Sequence, residues 1–452
     1  MPREKPKPFP TFSMRVALVL YAVLMAVLFP VVLLYIRIRA RRDPRYGQHL
    51  LERFGCYPTT QENCVWIHAV SLGELRAAAP LIRALLKRGD TIVTTHFTPA
   101  GRAAALSMFP EACKSNTLIP VYVPFEFDWV FRRFFKAFTP QYGLVMEIEL
   151  WPRMIASAHR HNVPLFMCNG HYPEKSFQRD DRKYGLRRQL VTGFTGMFIK
   201  SDPDAARFKA FGAKNVVMTG ELRFDQAIPP HMVARAADFI DRHSAHLANR
   251  RIITLASVVE GEDPQYIEMI KALRDRYSAV GQALPLFVYV PRAPERFDKV
   301  SEMLGGSGFQ VSKRSGLFDA ALQPSAGVSF GDTDILLGDS LGEMFFYLAL
   351  ADIVIVGGGF VPTGAHNIIE PLALKKTVLV GPNIWTIEFP AFEAIEAGAL
   401  VSVNTIPEMV SQIQSYGDPA EMAQKQRATE MFNASHVGAV ERTLAAIDSL
   451  TS

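Results

Sequence analysis

Short apolar runs alternate with helical patterns along most of this chain. CVWIHAV (64–70) and TIVTTHF (91–97) carry the β-branched and aromatic residues of buried strands. Between them Leu75, Ala78, Ala79, Ile82, Leu85 and Leu86 recur at helical spacing. YGLVMEIE (142–149), PLFMCNG (164–170), GMFIKS (196–201) and NVVMTGEL (215–222) continue the alternation. A polar, helix-patterned stretch over 225–250 has no strand signal and reads as a linker. A second series then follows: RIITLASV, LPLFVYVP, GVSFGD (327–332), DILLGD, DIVIVGGG and TVLVGP. Strand and helix alternating twice around one break predict two doubly wound α/β domains, over 46–228 and 229–452, the second including the linker and the terminal helices.

The first residues follow neither pattern. Val16 to Ile36 is uncharged and long enough to cross about 30 Å of hydrocarbon as a helix, with Pro30 inside it. Its length, and the lack of a small-residue cleavage site after it, argue against a signal peptide. Arg37, Arg39, Arg41, Arg42 and Arg45 follow it, a basic cluster suited to the cytoplasmic side and to anionic lipid head groups. Arg3, Lys5, Lys7 and Arg15 precede it and weaken a simple orientation argument. Residues 1–45 are therefore expected to anchor the protein, either as a span or as a helix lying in the interface. Much of the net charge of +5 sits in this segment, so no nucleic-acid footprint remains for the body. The four cysteines lack metal-ligand spacing and fit a reduced, cytoplasm-facing body.

Ligands of doubly wound sheets bind at the carboxyl ends of strands. In HAVSLGEL the strand is predicted to end near Ala69, Gly73 to permit a turn, and Glu74 to begin a helix. Glu74 serves there either as a general base toward a substrate hydroxyl or as an acid matched to the helix dipole. Glu147 and Glu149 are expected on one side of a strand end, where buried acids need partners and either order a loop or bind an acceptor. Arg292 and Arg296 suit a phosphate or a sugar carboxylate. Ser340 and a helix N-terminus near Gly342 offer an anion cradle. In GGGFVPTGAHNIIE, Gly357–Gly359 would allow close approach to a ligand, and a helix starting near His366 would aim N–H groups at a phosphate. Glu370 would then take ribose hydroxyls. The alternative is a tight strand–helix connection. Neither a P-loop nor a G-x-G-x-x-G fingerprint is present. Asp332–Asp334 forms a D-x-D triplet of the kind that arises by chance, and no metal is expected.

The ordered set RFG, IHAVSLGE, TTHFTPAG, VPFEF, MEIELWP, RFKAFGAKNVVMTGELRFD, PRAPERF, GDSLGEM and GAHNIIEPLALKKTVLVGPN resembles the 3-deoxy-D-manno-octulosonic acid (Kdo) transferases of lipopolysaccharide assembly over nearly the whole chain. The resemblance implies a GT-B fold, with two Rossmann-like domains facing a central cleft. It also implies CMP-Kdo as donor, a lipid A precursor (lipid IVA) as acceptor, inversion at the anomeric carbon, no metal cofactor, and an inner-membrane location with the body in the cytoplasm. Residue by residue it makes Glu74 the general base and Ser71 and Gly73 its presenting loop. Glu147 becomes an acid on the acceptor side. Arg292, Ser340, Gly342, Asn367 and Glu370 fall in stretches that hold the nucleotide.

The chain departs from the family pattern at Val258 and Val259, which replace a polar pair, at Ala293 for His and at Ala365 for Gly. Arg223 stands for Lys, and NGHYPEKS from Asn169 replaces a different motif. These departures leave two alternatives open. One is a GT-B enzyme using another CMP- or UDP-activated sugar; the other is a membrane-tethered binding protein that has lost catalysis.

Overall fold

The computed structural model describes residues 9–181, 185–247, 250–325, 330 and 332–451. Arg3, Lys5 and Lys7, and most of the strand expected over 327–332, lie outside the described residues. The chain divides into two compact units, one of Met1–Gln226 with Gly438–Ser452, the other of Ala227–Val437.

Seven parallel strands form the sheet of the first unit: β1 (Val65–His68), β2 (Ile92–His96), β3 (Leu118–Tyr122), β4 (Tyr142–Met146), β5 (Leu165–Gly170), β6 (Gly196–Ile199) and β7 (Val216–Met218). Their order is β3-β2-β1-β4-β5-β6-β7, so chain progression reverses between β1 and β4. The second unit repeats the plan with β8 (Ile252–Val258), β9 (Leu286–Pro291), β10 (Val311–Lys313), β11 (Ile335–Leu337), β12 (Ile353–Val356), β13 (Thr377–Val380) and β14 (Leu400–Ser402). Its order is β10-β11-β9-β8-β12-β13-β14, with the reversal between β8 and β12. Helices cover both faces of a parallel sheet, which is why the central strands read as unbroken apolar runs. Around β1, Trp66 packs with Phe134 and Phe138 on one face, while Ile67 faces Leu75, Ala78 and Ile82 on the other.

One role and one boundary differ from the sequence reading. The stretch read as a linker forms the helix Pro230–Arg242, which is part of the second unit's core: Phe239 is buried against Phe318 and Phe330. Its polarity belongs only to the outward face. The helix Ala439–Thr451 does not stay with the second unit but returns to the first. Val440 and Ile447 bury there beside Leu222, and the Asp225 carboxylate accepts the Gly438 and Val440 N–H groups at 2.7 and 2.6 Å. Those are the unsatisfied donors of a helix start.

One helix among the described residues is long and apolar enough to cross a membrane, α1 (Phe12–Arg42). It touches the rest of the first unit at several points. Met14 and Leu18 are buried, and the Leu18 carbonyl accepts from the Arg153 guanidinium. The Phe29 ring lies 5.0 Å from Phe125 and 5.1 Å from Phe127, and the Arg39 guanidinium sits 5.3 Å from the Tyr46 ring. Val19, Leu20, Val23, Val27 and Val31 face outward and are exposed.

Asp225→Ala is expected to cost about 1–2 kcal/mol, as for loss of an N-cap, and to raise hydrogen exchange selectively in Ala439–Thr451. Exchange monitored by mass spectrometry checks this; unchanged protection of that helix would remove Asp225 as its anchor.

Candidate active site

In the first unit the reversal point lies between β1 and β4, and the loops after these two strands bring the acids together. After β1 the chain turns at Ser71, whose hydroxyl accepts the Glu74 N–H at 3.3 Å and caps α2 (Leu72–Arg88). Glu74 reaches back: one carboxyl oxygen accepts the Val70 N–H at 2.8 Å and the other accepts the Ser71 hydroxyl at 3.0 Å. This is a variant of the capping box, Ser at the cap and Glu three residues on, with the Glu accepting the N–H one residue before the cap. Gly73 is already inside the helix and lacks left-handed backbone, so the expectation that it makes the turn is corrected; Ser71 makes it. Glu74 is 8% exposed. Burial, aided by the nearby charges of Glu149 and Glu147, lifts its pKa from the ordinary 4.5 to about 8.

The loop after β4 supplies those neighbours, but not as two acids on one side of a strand. β4 ends at Met146, and Glu147 takes left-handed backbone with φ 55°. Its carboxylate meets Arg223 at 3.3 Å and Lys200 at 3.9 Å. Glu149 accepts instead from the Trp151 indole, and burial raises its pKa. Lys200 also pairs with the buried Glu221 at 2.8 Å. Burial alone would raise Glu221, but Lys200 and Arg223 hold it at about 2. The Trp151 ring lies 5.3 Å from the His68 ring and 6.1 Å from Phe97. His68 is fully buried, bonds Thr95 through Nδ1 at 2.9 Å, and is kept neutral by burial with a pKa of about 3. It is a packing residue under the site.

In the second unit the reversal point lies between β8 and β12, where the glycine run sits. Only Gly358 of the three has left-handed backbone, φ 90°. A Cβ on Gly357 would lie 2.5 Å from the Ser257 carbonyl oxygen, and one on Gly359 2.5 Å from the Gly381 nitrogen. The glycines thus let three strand ends touch backbone to backbone. Two of their amides are taken as well: the Gly357 N–H donates to the Ala256 carbonyl at 2.8 Å, and the buried Glu262 accepts the N–H groups of Gly358 at 2.7 Å, Phe360 at 3.1 Å and Val259 at 3.2 Å. The glycines thus serve the tight strand–helix connection, the alternative kept open in the sequence.

The helix expected at His366 begins only at Ile369 and has five residues, Ile369–Ala373. Asn367 precedes it, its side-chain oxygen accepting the Ile369 N–H at 2.9 Å, and Glu370 lies half-buried in its single turn. His366 is held below its ordinary pKa by burial and then by the charge of Arg292, and its Nε2 is buried without a hydrogen-bond partner among the described residues. Arg292 is exposed at the end of β9. Arg296 is not available to a ligand: it is buried, pairs with Asp263 and donates to the Val258 carbonyl at 2.7 Å. After β11, the Ser340 hydroxyl donates to Glu343 and shares a hydrogen bond with Tyr347 at 2.6 Å. Gly342 turns with φ 83°, and the following helix starts at Met344. Arg292, His366, Asn367, Glu370, Ser340 and Gly342 thus all lie at the carboxyl edge of one sheet.

Residues 48–226 match the family model for 3-deoxy-D-manno-octulosonic-acid transferase (kdotransferase). A 3-deoxy-D-manno-octulosonic acid transferase of Bordetella pertussis is 35% identical over 385 residues, covering 85% of this chain and 86% of that protein. The chain belongs to the Kdo transferase family. The Haemophilus influenzae transferase is 28% identical, with 87% and 88% of the two chains covered. Being a family member, the protein is a glycosyltransferase. Among solved structures, a putative UDP-N-acetylglucosamine 2-epimerase from Listeria monocytogenes aligns with a TM-score of 0.55 at 15% identity, over 86% of this chain and 96% of that one. A glycosyltransferase from Rickettsia africae aligns at 0.54 and 11%, over 87% and 99%. These two show the shared GT-B fold and nothing about substrate.

As a Kdo transferase family member, the chain departs from the pattern partly for reasons of packing. Val258 is fully buried among Tyr266 and Ile355, where a polar side chain would need a partner. Ala365 is 2% exposed, with its N–H given to the Asn383 carbonyl at 2.8 Å. Sequence reasoning missed Glu262 and His366. Glu262 had a usable signal, an acid four residues after a strand end and just before a helix.

Folded Glu74 holds its proton to about pH 8, whereas the unfolded carboxyl releases it near 4.5. The native chain thus binds the extra proton between these values, and this group's contribution to stability falls as pH rises through that window. Glu74→Gln keeps the capping box and removes the titration. The variant is expected to gain Tm relative to wild type as pH rises from about 5 to about 9; a pH-independent difference would place the Glu74 pKa near its ordinary value.

Proposed function

We propose that this enzyme transfers Kdo from CMP-Kdo to a lipid A precursor, with inversion at the anomeric carbon and without a metal. The observation that carries the reading is Glu74, a buried carboxyl of raised pKa at the reversal point of the first unit, in a chain of this family. A sugar hydroxyl is a weak acid and must lose its proton as its oxygen bonds to the anomeric carbon. A carboxylate with a pKa near 8 is a stronger base than an ordinary one while still ionising near neutrality. Glu74 takes that proton, the glycosidic bond forms, and CMP departs with the bonding pair. The departing phosphate needs positive charge or hydrogen-bond donors rather than a strong acid. Arg292 and the free Nε2 of His366, if that atom carries its hydrogen, meet this need, with Asn367 and Ser340 beside them. Glu370 accepts from the ribose, and Glu147, through Arg223 and Lys200, shapes the acceptor side.

The contacts of α1 from Met14 to Arg39 favour a helix lying in the interface over one crossing the bilayer. One face is on the protein and the other is apolar and exposed. The basic cluster from Arg37 to Arg45 then lies against anionic head groups of the inner membrane, with the body in the cytoplasm.

Glu74→Gln is expected to lower turnover by about 10²–10⁴-fold with CMP affinity unchanged. In the wild type, kcat/KM should rise with pH toward about 8. Sugar transfer from CMP-Kdo to tetraacylated lipid A precursor, followed by mass spectrometry at saturating substrates, tests both. Near-normal transfer by the variant removes Glu74 from the chemistry. No transfer by wild type, with CMP still bound, favours a binding protein. On the donor side, Glu370→Ala should weaken CMP binding by about tenfold, the loss of a charged hydrogen bond. Calorimetry giving the wild-type affinity would leave Glu370 as a helix-start acid.

A further inference from the structure

Between α1 and the body of the first unit lies a cavity of about 420 Å³ that the catalytic reading does not use. Tyr21, Met25, Val32 and Ile36 line it from α1 at helical spacing, and Phe97, Phe125 and Trp151 are among the residues lining it from the body. Of its two buried ionisable groups, Glu126 is engaged by backbone N–H groups, and Arg53 is engaged through Nη2 while its Nε has no partner among the described residues. Glu126 accepts the Arg153 and Met154 N–H groups at 3.1 and 2.9 Å, and Arg53 donates to the Phe97 carbonyl at 2.7 Å. A cavity walled by apolar side chains favours hydrocarbon over water.

Two further observations select the occupant. First, the face of α1 turned away from the body is exposed and apolar, and Arg37, Arg41 and Arg42 stand exposed just beyond the cavity's end at Ile36. A chain with an anionic head group can pass from a bilayer into the cavity without its hydrocarbon crossing water, leaving the head group beside these arginines. Second, the cavity wall is joined to the loop holding Glu74. The Phe97 N–H donates to the Val70 carbonyl at 3.0 Å, and the Val70 N–H donates to Glu74 at 2.8 Å.

We propose that this cavity holds one acyl chain of the acceptor lipid and thereby sets the position of the acceptor sugar relative to Glu74. The proposal rests on the reading that the acceptor is an acylated, anionic glycolipid.

The test fills the cavity with Val32→Trp and uses Val31→Trp, on the exposed face, as control. KM is measured for tetraacylated lipid A precursor and for the same precursor with its acyl chains removed, at saturating CMP-Kdo. Val32→Trp is expected to raise KM for the acylated acceptor by about tenfold or more, the effect of losing roughly two buried methylenes. It should leave transfer to the deacylated acceptor unchanged, and Val31→Trp should change neither. Equal behaviour of the two variants overturns the proposal.

A second measurement does not depend on turnover. Lipid A precursor with a diazirine at an acyl terminus is photolysed with the full-length protein, alongside phosphatidylglycerol bearing the same group. Labelling of the Phe125 or Trp151 peptide by the precursor in wild type, lost in Val32→Trp, supports the site. Labelling confined to the exposed face of α1, or equal labelling by phosphatidylglycerol, overturns it. If wild type transfers sugar to neither acceptor, the functional reading fails by itself, and the labelling still decides the cavity.

Discussion

Parallel strands that end together leave backbone N–H groups pointing at one another's loops, and in both units a buried glutamate gathers them. Glu74 follows β1 and Glu262 follows β8, the first strand of each sheet and in each case the strand beside the order reversal. The two acids differ in how fully they are used. Glu262 accepts three backbone N–H groups and approaches the Tyr266 hydroxyl at 3.4 Å, with no exposed surface. Glu74 accepts one backbone N–H and one hydroxyl and keeps some exposure. A carboxylate offers about four lone-pair sites. Glu262 is thus saturated and holds the glycine loop, whereas Glu74 retains capacity for a further donor. The same device closes a loop in one unit and leaves a carboxyl with spare hydrogen-bonding capacity in the other.

This difference explains what the sequence disclosed and what it hid. The alternation of buried runs and helical stripes carried both sheets, because parallel strands covered on both faces have few other ways to be written. Glu74 was legible as a helix-start acid of either structural or chemical use; the structure gives it the capping geometry and the raised pKa together. The glycines left two readings open because a glycine's purpose depends on what lies across from it. Gly357 and Gly359 face the backbone of Ser257 and Gly381, residues distant in sequence. The helix at His366 was placed too early for a local reason. Asn367 folds its side chain onto the Ile369 N–H, and such an Asx turn competes with the helix it precedes. Val258, counted as a departure from the family pattern, is a core residue: the left-handed backbone of Ser257, φ 60°, breaks the alternation along β8 and turns Val258 to the face of Ile253 and Leu255.

The helix α1 shows how a membrane signal and a folding signal can share one segment. Its hydropathy alone fits a span, yet one stripe of it, from Met14 through Phe29, is fixed to the first unit. A perpendicular span that kept those contacts would draw polar surface of the body into hydrocarbon, where unsatisfied groups cost several kcal/mol each. The outward stripe of Val19, Val23, Val27 and Val31 is then too large an apolar surface to leave in water. The helix completes the body on one side and leaves an apolar stripe exposed on the other. Trp151 stands where these roles meet, bonded to Glu149, packed on His68 and lining the cavity under α1. One aromatic side chain thus belongs both to the wall under α1 and to the loops after β1 and β4 that set the environment of Glu74.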